Sequence, residues 1–407
     1  MQGLSWCNRQ TLQETTWNDV ARGVSAQVRT ALEKVLAAHD GGVLSREECL
    51  LLAHADGDDL LGMVVAANEL RQRLVGDVIS YVVTRNINFT NVCFVGCKFC
   101  AFSVGPRDET AYFLSLDEMA QKCREAASWG ATEVCIQGGL PRNLPPFYYR
   151  DILRAVKSAT PKMHAHAFSP MEMVYGVELT KMPIREYLLM LKENGLDTLP
   201  GTAAEILDDD VRHVLSRNKL TSGQWREVIE TAHQCGIRST STMMYGHSEK
   251  PEQWVNQMLL FRDIQARTGG FTEFVPLGFI HEHTILFAQG LARDGGTLTE
   301  HLKVHALARL LLAGSINHIQ VSWVKLGRET SQLALLAGAD DYGGTLFEEN
   351  ISRLAGASFG QYVSAAEFQE RILELGRIPA QRNTVYTQYT YPAPGVAVEP
   401  VAAGGNA

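Results

Sequence analysis

The sequence lacks any dense cluster of Lys and Arg, and its formal net charge at pH 7 is -8. A surface that follows the phosphates of nucleic acid or of an anionic membrane needs such a cluster. Long apolar runs are missing as well, since none approaches the roughly 20 residues that span a bilayer. The first residues show no basic segment followed by an apolar core. These absences favour small-molecule chemistry and predict a cytoplasmic protein.

Cysteine is scarce, with eight residues in a chain of 407. This usage agrees with a reducing compartment rather than with a disulfide scaffold. Five of the eight fit apolar patterns typical of buried packing: Cys7, Cys49, Cys123, Cys135 and Cys235.

The other three cysteines, Cys93, Cys97 and Cys100, lie together on one short stretch. A closed structural zinc site needs four protein ligands, and no second Cys pair follows this stretch. Iron–sulfur clusters are normally held by four thiolates, so a cluster held by three leaves one iron open to another ligand. The spacing therefore predicts an iron–sulfur site, with zinc binding or thiol redox chemistry as the alternatives.

From about residue 81 the sequence alternates short β-rich apolar runs with helical stretches, as parallel βα units do. Eight strands are predicted, at residues 82–91, 132–137, 162–168, 196–199, 237–243, 271–276, 317–323 and 339–345. Eight such units predict an α/β fold of the (β/α)8 TIM type, whose reactive groups lie at the C-terminal ends of the strands. A doubly wound open sheet is the alternative, because strand number alone does not require closure.

Predicted helix starts, together with the strand pattern, divide the chain into three regions. Capping pairs predict helices beginning after Ser45, Ser115, Thr221 and Ser364. The regions are an N-terminal tail with a helical lead-in at 1–80, a barrel core at 81–379 and a C-terminal extension at 380–407. The end of this extension, from about Pro392, is rich in Pro, Ala and Gly and is predicted to be disordered.

Three predicted strand ends carry candidate site residues. Gln137, Gly138 and Gly139 end the second strand, where missing Cβ atoms let a ligand approach the backbone; a plain tight turn is the alternative. His166, on the third strand, is a candidate catalytic residue in contact with substrate, or else a hydrogen-bonded core histidine. Glu205, after the fourth strand, offers a carboxylate for ribose hydroxyls or an ammonium group, and helix capping competes with that role.

Two further patterns are weaker. His301 and His305 lie four residues apart, but Leu302 stands where a zinc peptidase motif has Glu, so a helix face is predicted. Near the end of the chain, the pair Gly343-Gly344 precedes a helix start that also carries Glu348 and Glu349. Because acids repel an anion, a phosphate-free substrate is expected there.

The cysteine stretch resembles that of the radical S-adenosylmethionine (SAM) family. The resemblance implies a 4Fe-4S cluster on the three cysteines, with SAM on the open iron as a cosubstrate that yields a deoxyadenosyl radical. It also places Phe99 beside the adenine and the pair Gly138-Gly139 beside the methionine amino group, and it makes residues 81–379 the radical SAM barrel.

One branch of this family, the second subunits of FO synthase, is similar to the chain over roughly residues 27–390. The similar blocks are residues 86–91, 200–207, 318–327 and 343–351. The resemblance implies cleavage of the Cα–Cβ bond of L-tyrosine and transfer of the 4-hydroxybenzyl fragment to 5-amino-6-(D-ribitylamino)uracil in coenzyme F420 biosynthesis. The products would be the adduct, 2-iminoacetate, 5′-deoxyadenosine and methionine.

Partners and rival functions follow from the same resemblance. It implies a reducing electron donor and FO synthase subunit 1, a second radical SAM enzyme, which would close the deazaflavin ring because this chain carries one cysteine triad. The blocks are shared in part with the aminofutalosine synthases and cyclases of menaquinone biosynthesis, which are the closest alternatives. A zinc-binding module that is not an enzyme is the alternative from another class.

Overall fold

A computed structural model describes residues 5–38 and 40–392 of the chain. The helices are α1 Arg9–Glu14, α2 Trp17–Val20, α3 Ala26–Ala37, α4 Arg46–Ala53, α5 Gly57–Val75, α6 Leu116–Ser128, α7 Tyr148–Ala159, α8 Pro170–Thr180, α9 Ile184–Glu193, α10 Asp209–Leu215, α11 Ser222–Gln234, α12 Pro251–Thr268, α13 Ile285–Ala288, α14 Leu298–Leu312, α15 Trp323–Leu336, α16 Ile351–Leu354 and α17 Ala365–Leu373. The strands are β1 Val78–Val82, β2 Thr84–Ile87, β3 Glu133–Ile136, β4 His164–Ala167, β5 Thr198–Leu199, β6 Arg238–Tyr245, β7 Phe271–Gly278, β8 Asp341–Gly344, β9 Ile378–Arg382 and β10 Tyr389–Thr390.

Six parallel strands, β2 to β7, pair in chain order and form a curled sheet. Isolated parallel bridges continue the pairing from Phe274 to Ile319, from Gln320 to Asp341 and from Phe347 back to Arg85 of β2. The fold is therefore a TIM-type barrel whose regular strands make up one curled part. The strands are neighbours in the sheet in the same order as in the chain. This order does not match the doubly wound alternative, in which the strand order reverses at one point.

The predicted seventh strand at 317–323 is wrong as a regular strand. Only Ile319 and Gln320 form bridges, and α15 already begins at Trp323. Backbone pairing here is short: Gln320 N–H donates to Phe274 O at 2.9 Å and Val321 N–H to Asp341 O at 2.8 Å, while the N–H of Ile319 donates to the Asp340 side chain at 2.7 Å. This position of the barrel is held by two bridges rather than by a ladder.

A second sheet, with strand order β10-β9-β1-β8, was not predicted from the sequence. The predicted first strand at 82–91 corresponds to β2, while β1 precedes it and pairs in parallel with both β8 and β9. The predicted boundary at 379/380 falls inside β9, and the division into three regions stays a prediction. The predicted disorder beyond Pro392 lies outside the described residues.

Polar side chains of this second sheet and its neighbours fill the N-terminal end of the barrel. Arg382 Nε donates to Asp341 at 2.6 Å, and its Nη2 donates to Glu273 at 3.2 Å. The Tyr386 hydroxyl donates to the same Glu273 carboxylate, and the Tyr386 ring stacks on His318 with centroids 3.8 Å apart. We call these five residues the barrel floor.

The predicted helix starts are confirmed, since the side chains of Ser45, Ser115, Thr221 and Ser364 accept backbone N–H groups at the starts of α4, α6, α11 and α17. The lead-in helix α3 packs on both α4 and α5, and α4 and α5 each pack on α14 of the barrel. Among the described residues, no helix is both long enough and apolar enough to cross a lipid bilayer.

Candidate active site

The cysteine loop leaves the C-terminal end of β2 and is anchored by its backbone on several sides. The N–H of Cys93 donates to Val104 O at 3.2 Å, within the loop itself. The N–H of Lys98 donates to Leu215 O, at the end of α10, at 2.9 Å. These bonds hold the three thiols over the end of the barrel where the strands carry their reactive groups.

The glycine pair after β3 lies directly beneath this loop. A Cβ on Gly139 would lie 2.2 Å from the Val92 carbonyl oxygen, and one on Gly138 would lie 2.6 Å from the Phe89 ring. Gly139 N–H also donates to Thr90 O at 2.8 Å. Glycine is therefore required here for close contact with the cysteine loop, in addition to any contact with a ligand.

A cavity of about 400 Å³ opens at this end of the barrel, within the usual size of small-molecule sites. It is lined by every predicted metal and cofactor residue, namely Cys93, Cys97, Phe99, Cys100, Gln137, Gly138, Gly139 and Glu205. Residues as far apart in the chain as Cys93 and Glu205 thus face one space. We call it the cysteine cavity.

Cys97 and Cys100 are half-buried, and burial raises the pKa of both thiols, to about 11 for Cys97. The Ser216 hydroxyl lies 3.1 Å from Cys97 Sγ. Among the described residues, no group of three or more His, Cys, Asp or Glu side chains could hold a single metal ion. A cluster makes a different demand, because each of its irons takes its own thiolate, and three thiols around one cavity fit that donor set.

Glu205 has a left-handed backbone, with φ of 40°. Its carboxylate accepts from Lys219 Nζ at 2.7 Å and lies 3.7 Å from Arg212. The N-cap of α10 is Asp208, so helix capping does not explain Glu205. A carboxylate and an ammonium group are thereby fixed together on the wall of the cavity.

Two lining residues were missed by sequence reasoning, Lys219 and Glu172. Burial lowers the pKa of Lys219, but the neighbouring Glu205 carboxylate and Cys97 thiol together outweigh it, so the pKa is raised and the amine stays charged. Its Nζ lies 5.0 Å from the Phe99 ring centroid. Burial raises the pKa of Glu172 to about 7, although it accepts the N–H groups of Ser169 and Gly138.

Only one of these two residues carries a signal in the sequence. Ser169 and Glu172 form a capping box at the start of α8, which the spacing of the two residues could have revealed. Lys219 lies in the connection between α10 and α11, where no periodicity marks it.

His166 lies elsewhere, since it is not among the cavity-lining residues of the described chain. Its Nδ1 lies 2.7 Å from the Thr198 hydroxyl, and burial lowers its pKa to about 3. These contacts favour the alternative of a hydrogen-bonded core histidine, and its catalytic role stays a prediction. His301 and His305 lie on α14, as predicted for a helix face, and His301 Nδ1 lies 2.7 Å from the Tyr245 hydroxyl.

Two family models match the chain. The model of the radical SAM superfamily matches residues 87–261, which include the cysteine loop, the glycine pair and Glu205. The model of the CofH/MqnC C-terminal region matches residues 268–395, which include the barrel floor.

Curated relatives are similar over most of the chain. A 5-amino-6-(D-ribitylamino)uracil--L-tyrosine 4-hydroxyphenyl transferase of Methanothermobacter thermautotrophicus is 47% identical over 89% of this chain and 98% of the relative. An FO synthase of Mycobacterium leprae is 52% identical over 86% of this chain, and one of Streptomyces coelicolor is 51% identical over 89%. The chain spans only 41% and 42% of the length of these two FO synthases.

Solved structures share the fold at low identity. The FeFe-hydrogenase maturase HydG from Carboxydothermus hydrogenoformans aligns with a TM-score of 0.69 at 16% identity, over 93% of this chain and 84% of that chain. Methylornithine synthase aligns with a TM-score of 0.66 at 19% identity, over 86% of this chain and 97% of that chain. With the archaeal relative matched almost from end to end, the chain belongs to the radical SAM superfamily, whose members use a 4Fe-4S cluster and SAM.

Proposed function

We propose that the chain cleaves the Cα–Cβ bond of L-tyrosine and joins the 4-hydroxybenzyl fragment to 5-amino-6-(D-ribitylamino)uracil. The by-products are 2-iminoacetate, 5′-deoxyadenosine and methionine. One observation carries this proposal, namely the 47% identity to the archaeal transferase over 98% of that protein. The matching C-terminal region model supports the same branch of the superfamily.

In this proposal Cys93, Cys97 and Cys100 hold the cluster. When bound, the cluster supplies the electron that cleaves the sulfonium of SAM and releases a deoxyadenosyl radical. The chain's own residues bind and orient the reactants. Lys219 and Glu205 face the cavity with opposite charges, which suits the carboxylate and either the amino or the ribose groups of SAM.

Much of the remaining wall of the cysteine cavity is apolar. Met171, Met244, Leu277 and Phe279 line it together with the Phe99 ring. In such a space, a radical reacts with the bound substrate rather than with solvent. Reactants that are already held in a near-attack arrangement also lose less entropy on reaching the transition state. The role of the protein in this reaction is therefore mainly to position its reactants.

We also propose a partner enzyme that receives the adduct and closes the deazaflavin ring. The relatives named FO synthase support it, because this chain corresponds to less than half of their length. The electron would come from a reducing donor protein. The cytoplasm suits these steps, since a reducing compartment keeps the cysteines as thiols.

The test uses anaerobically reconstituted protein with a chemical reductant, SAM, L-tyrosine and 5-amino-6-(D-ribitylamino)uracil. Mass spectrometry is expected to find 5′-deoxyadenosine and the hydroxybenzyl adduct of the uracil, each dependent on tyrosine. Deoxyadenosine without the adduct would contradict the proposed transfer. Parallel assays with an enolpyruvyl ether test the aminofutalosine synthase alternative, which predicts product there and none with tyrosine.

A further inference from the structure

A second cavity, of about 470 Å³, adjoins the cysteine cavity. Asn86, Ala101 and Phe102 line both cavities, so the two share a wall. The second cavity is also lined by the polar residues Asn88, Asn91, Tyr112, Lys122 and Glu348. We call it the asparagine cavity.

Two buried amide oxygens at this cavity lack a hydrogen-bond partner within the part of the chain that the structure describes. They are Oδ1 of Asn86 and Oδ1 of Asn88, on or directly after β2. The orientation of the Asn88 amide is defined, because its Nδ2 donates to Gln137 O at 3.1 Å. Buried acceptors without a donor cost free energy, and a ligand that donates hydrogen bonds would offset that cost.

The lack of partners is specific to these two residues, because Asn91 in the same cavity is satisfied. Its Nδ2 donates to Thr110 O at 2.9 Å, and its Oδ1 accepts from Tyr112 N at 2.9 Å. At this cavity, the amide of Asn91 therefore has its hydrogen-bond partners, whereas the amide oxygens of Asn86 and Asn88 have none.

The charged groups at the cavity are already bonded to protein partners. Lys122 Nζ lies 2.9 Å from both carboxylate oxygens of Glu348, and Arg85 donates to the same carboxylate at 3.0 Å. Arg353 Nη2 donates to Asn350 Oδ1 at 3.3 Å. The two free amide oxygens only accept hydrogen bonds, so an unprotonated phosphate cannot bond to them, whereas neutral hydroxyl groups can donate to both.

We propose that the asparagine cavity binds a hydroxyl-rich chain, the ribityl chain of the uracil substrate, while the uracil ring reaches into the cysteine cavity past the shared wall. Hydroxyls of the chain donate to Oδ1 of Asn86 and of Asn88. This inference rests on the proposed function, since the substrate named there is the one that carries a ribityl group.

The test compares two probes on anaerobically reconstituted enzyme, 5-amino-6-(D-ribitylamino)uracil and 5,6-diaminouracil, which lacks the chain. Calorimetry gives the Kd of each. For Asn86→Ala and Asn88→Ala we expect the Kd of the ribityl probe to rise about tenfold, as loss of a buried hydrogen bond does, and the Kd of the short probe to stay unchanged. Asn256→Ala is the control, because this exposed residue of α12 contacts Arg46 far from either cavity.

Wild-type affinity for both probes in both variants would overturn the inference and leave the transferase proposal intact. Failure of the wild-type enzyme to bind the ribityl probe would overturn both. If Asn88→Ala weakens both probes through a loss of fold, Asn86→Ala decides, since that position is less buried.

Discussion

Lys219 and Glu205 form an ion pair on the wall of the cysteine cavity, and each is the main charged partner of the other. Lys219→Met keeps the length of the side chain but removes its charge, and it leaves Glu205 with only Arg212 at 3.7 Å. We expect the Kd for SAM to rise at least about tenfold, because a charge-assisted contact is worth roughly 1.5–3 kcal/mol. Equilibrium dialysis of reconstituted protein measures this.

The control is Lys34→Met, which breaks the exposed pair with Glu48 at 2.8 Å on the lead-in helices. It should leave SAM binding as in the wild type. Equal affinity in Lys219→Met would remove this amine from the SAM site.

Substitution of Cys97 tests directly whether the three cysteines hold the cluster. Cys97→Ser replaces one thiol by a hydroxyl that binds iron poorly, so we expect deoxyadenosine formation to be lost and iron content to fall. Cys7→Ser is the matched control, because Cys7 is a free cysteine outside the cavity lining. Normal turnover in Cys97→Ser would refute the assignment.

The site residues differ in how far the sequence could predict them. Cys93, Cys97 and Cys100 were predictable because ligand spacing is local in the chain. Lys219 was not, since its role arises from contacts with Glu205 and Phe99 that only the folded chain brings together. The hydrogen bond of His166 to Thr198 of the next strand was hidden for the same reason.

At the scale of elements, the contact between the glycine pair and the cysteine loop sets the position of the thiols. In Gly139→Ala the new methyl group would meet the rigid Val92 carbonyl at 2.2 Å, so the loop must shift. We expect about tenfold or greater loss of activity together with lower iron content per chain. Gly105→Ala is the control, because a Cβ there meets nothing within 4 Å. Full iron content and activity in Gly139→Ala would show that the loop tolerates the shift.

The barrel floor depends on one arginine. Arg382→Leu leaves Asp341 and Glu273 as buried carboxylates without their cation, and breaking such a pair costs roughly 3–5 kcal/mol of unfolding free energy. Arg267→Leu, which breaks an exposed pair with Glu230, should cost less than about 1 kcal/mol. Guanidinium unfolding measures both, and equal losses would contradict a structural role for the floor.

The strands show where pattern reasoning succeeds. Short β-rich runs between helical stretches located β2 to β7, although β6 begins with five polar residues. The segment at 317–323 pairs through only two bridges, because the chain enters α15 at Trp323 directly after them. Strand β9 was missed because it contains Pro379, which sequence reasoning treats as evidence against a strand.

For the whole molecule, buried titratable groups fall into two opposing sets. Burial lowers the pKa of six histidines. The pKa is about 3 for His166 and about 4 for His233, His301 and His305, and it is also lowered for His164 and His247. Burial raises the pKa of two carboxyls, Glu172 and Glu273, to about 7. In the unfolded chain these groups return to ordinary values, near 6.5 for His and 4.3 for Glu.

We therefore predict that stability falls as the pH drops from 6.5 towards 4. In that range the unfolded chain takes up protons at these histidines before the folded chain does. The two carboxyls act in the opposite direction, because their folded forms protonate first. Each group changes stability by at most about 1.4 kcal/mol per pH unit, so the histidines prevail. Denaturant unfolding at pH 7.5, 6.5 and 5.5 tests this, and greater stability at pH 5.5 would contradict it.

The glycine pair and the cysteine loop belong to different βα units, yet each fits the other at backbone level. A protein engineer who grafts this cysteine stretch onto another barrel must therefore transplant the neighbouring strand end with it. A host that carries alanine or a larger residue there would push the donor segment out of place before any iron arrived.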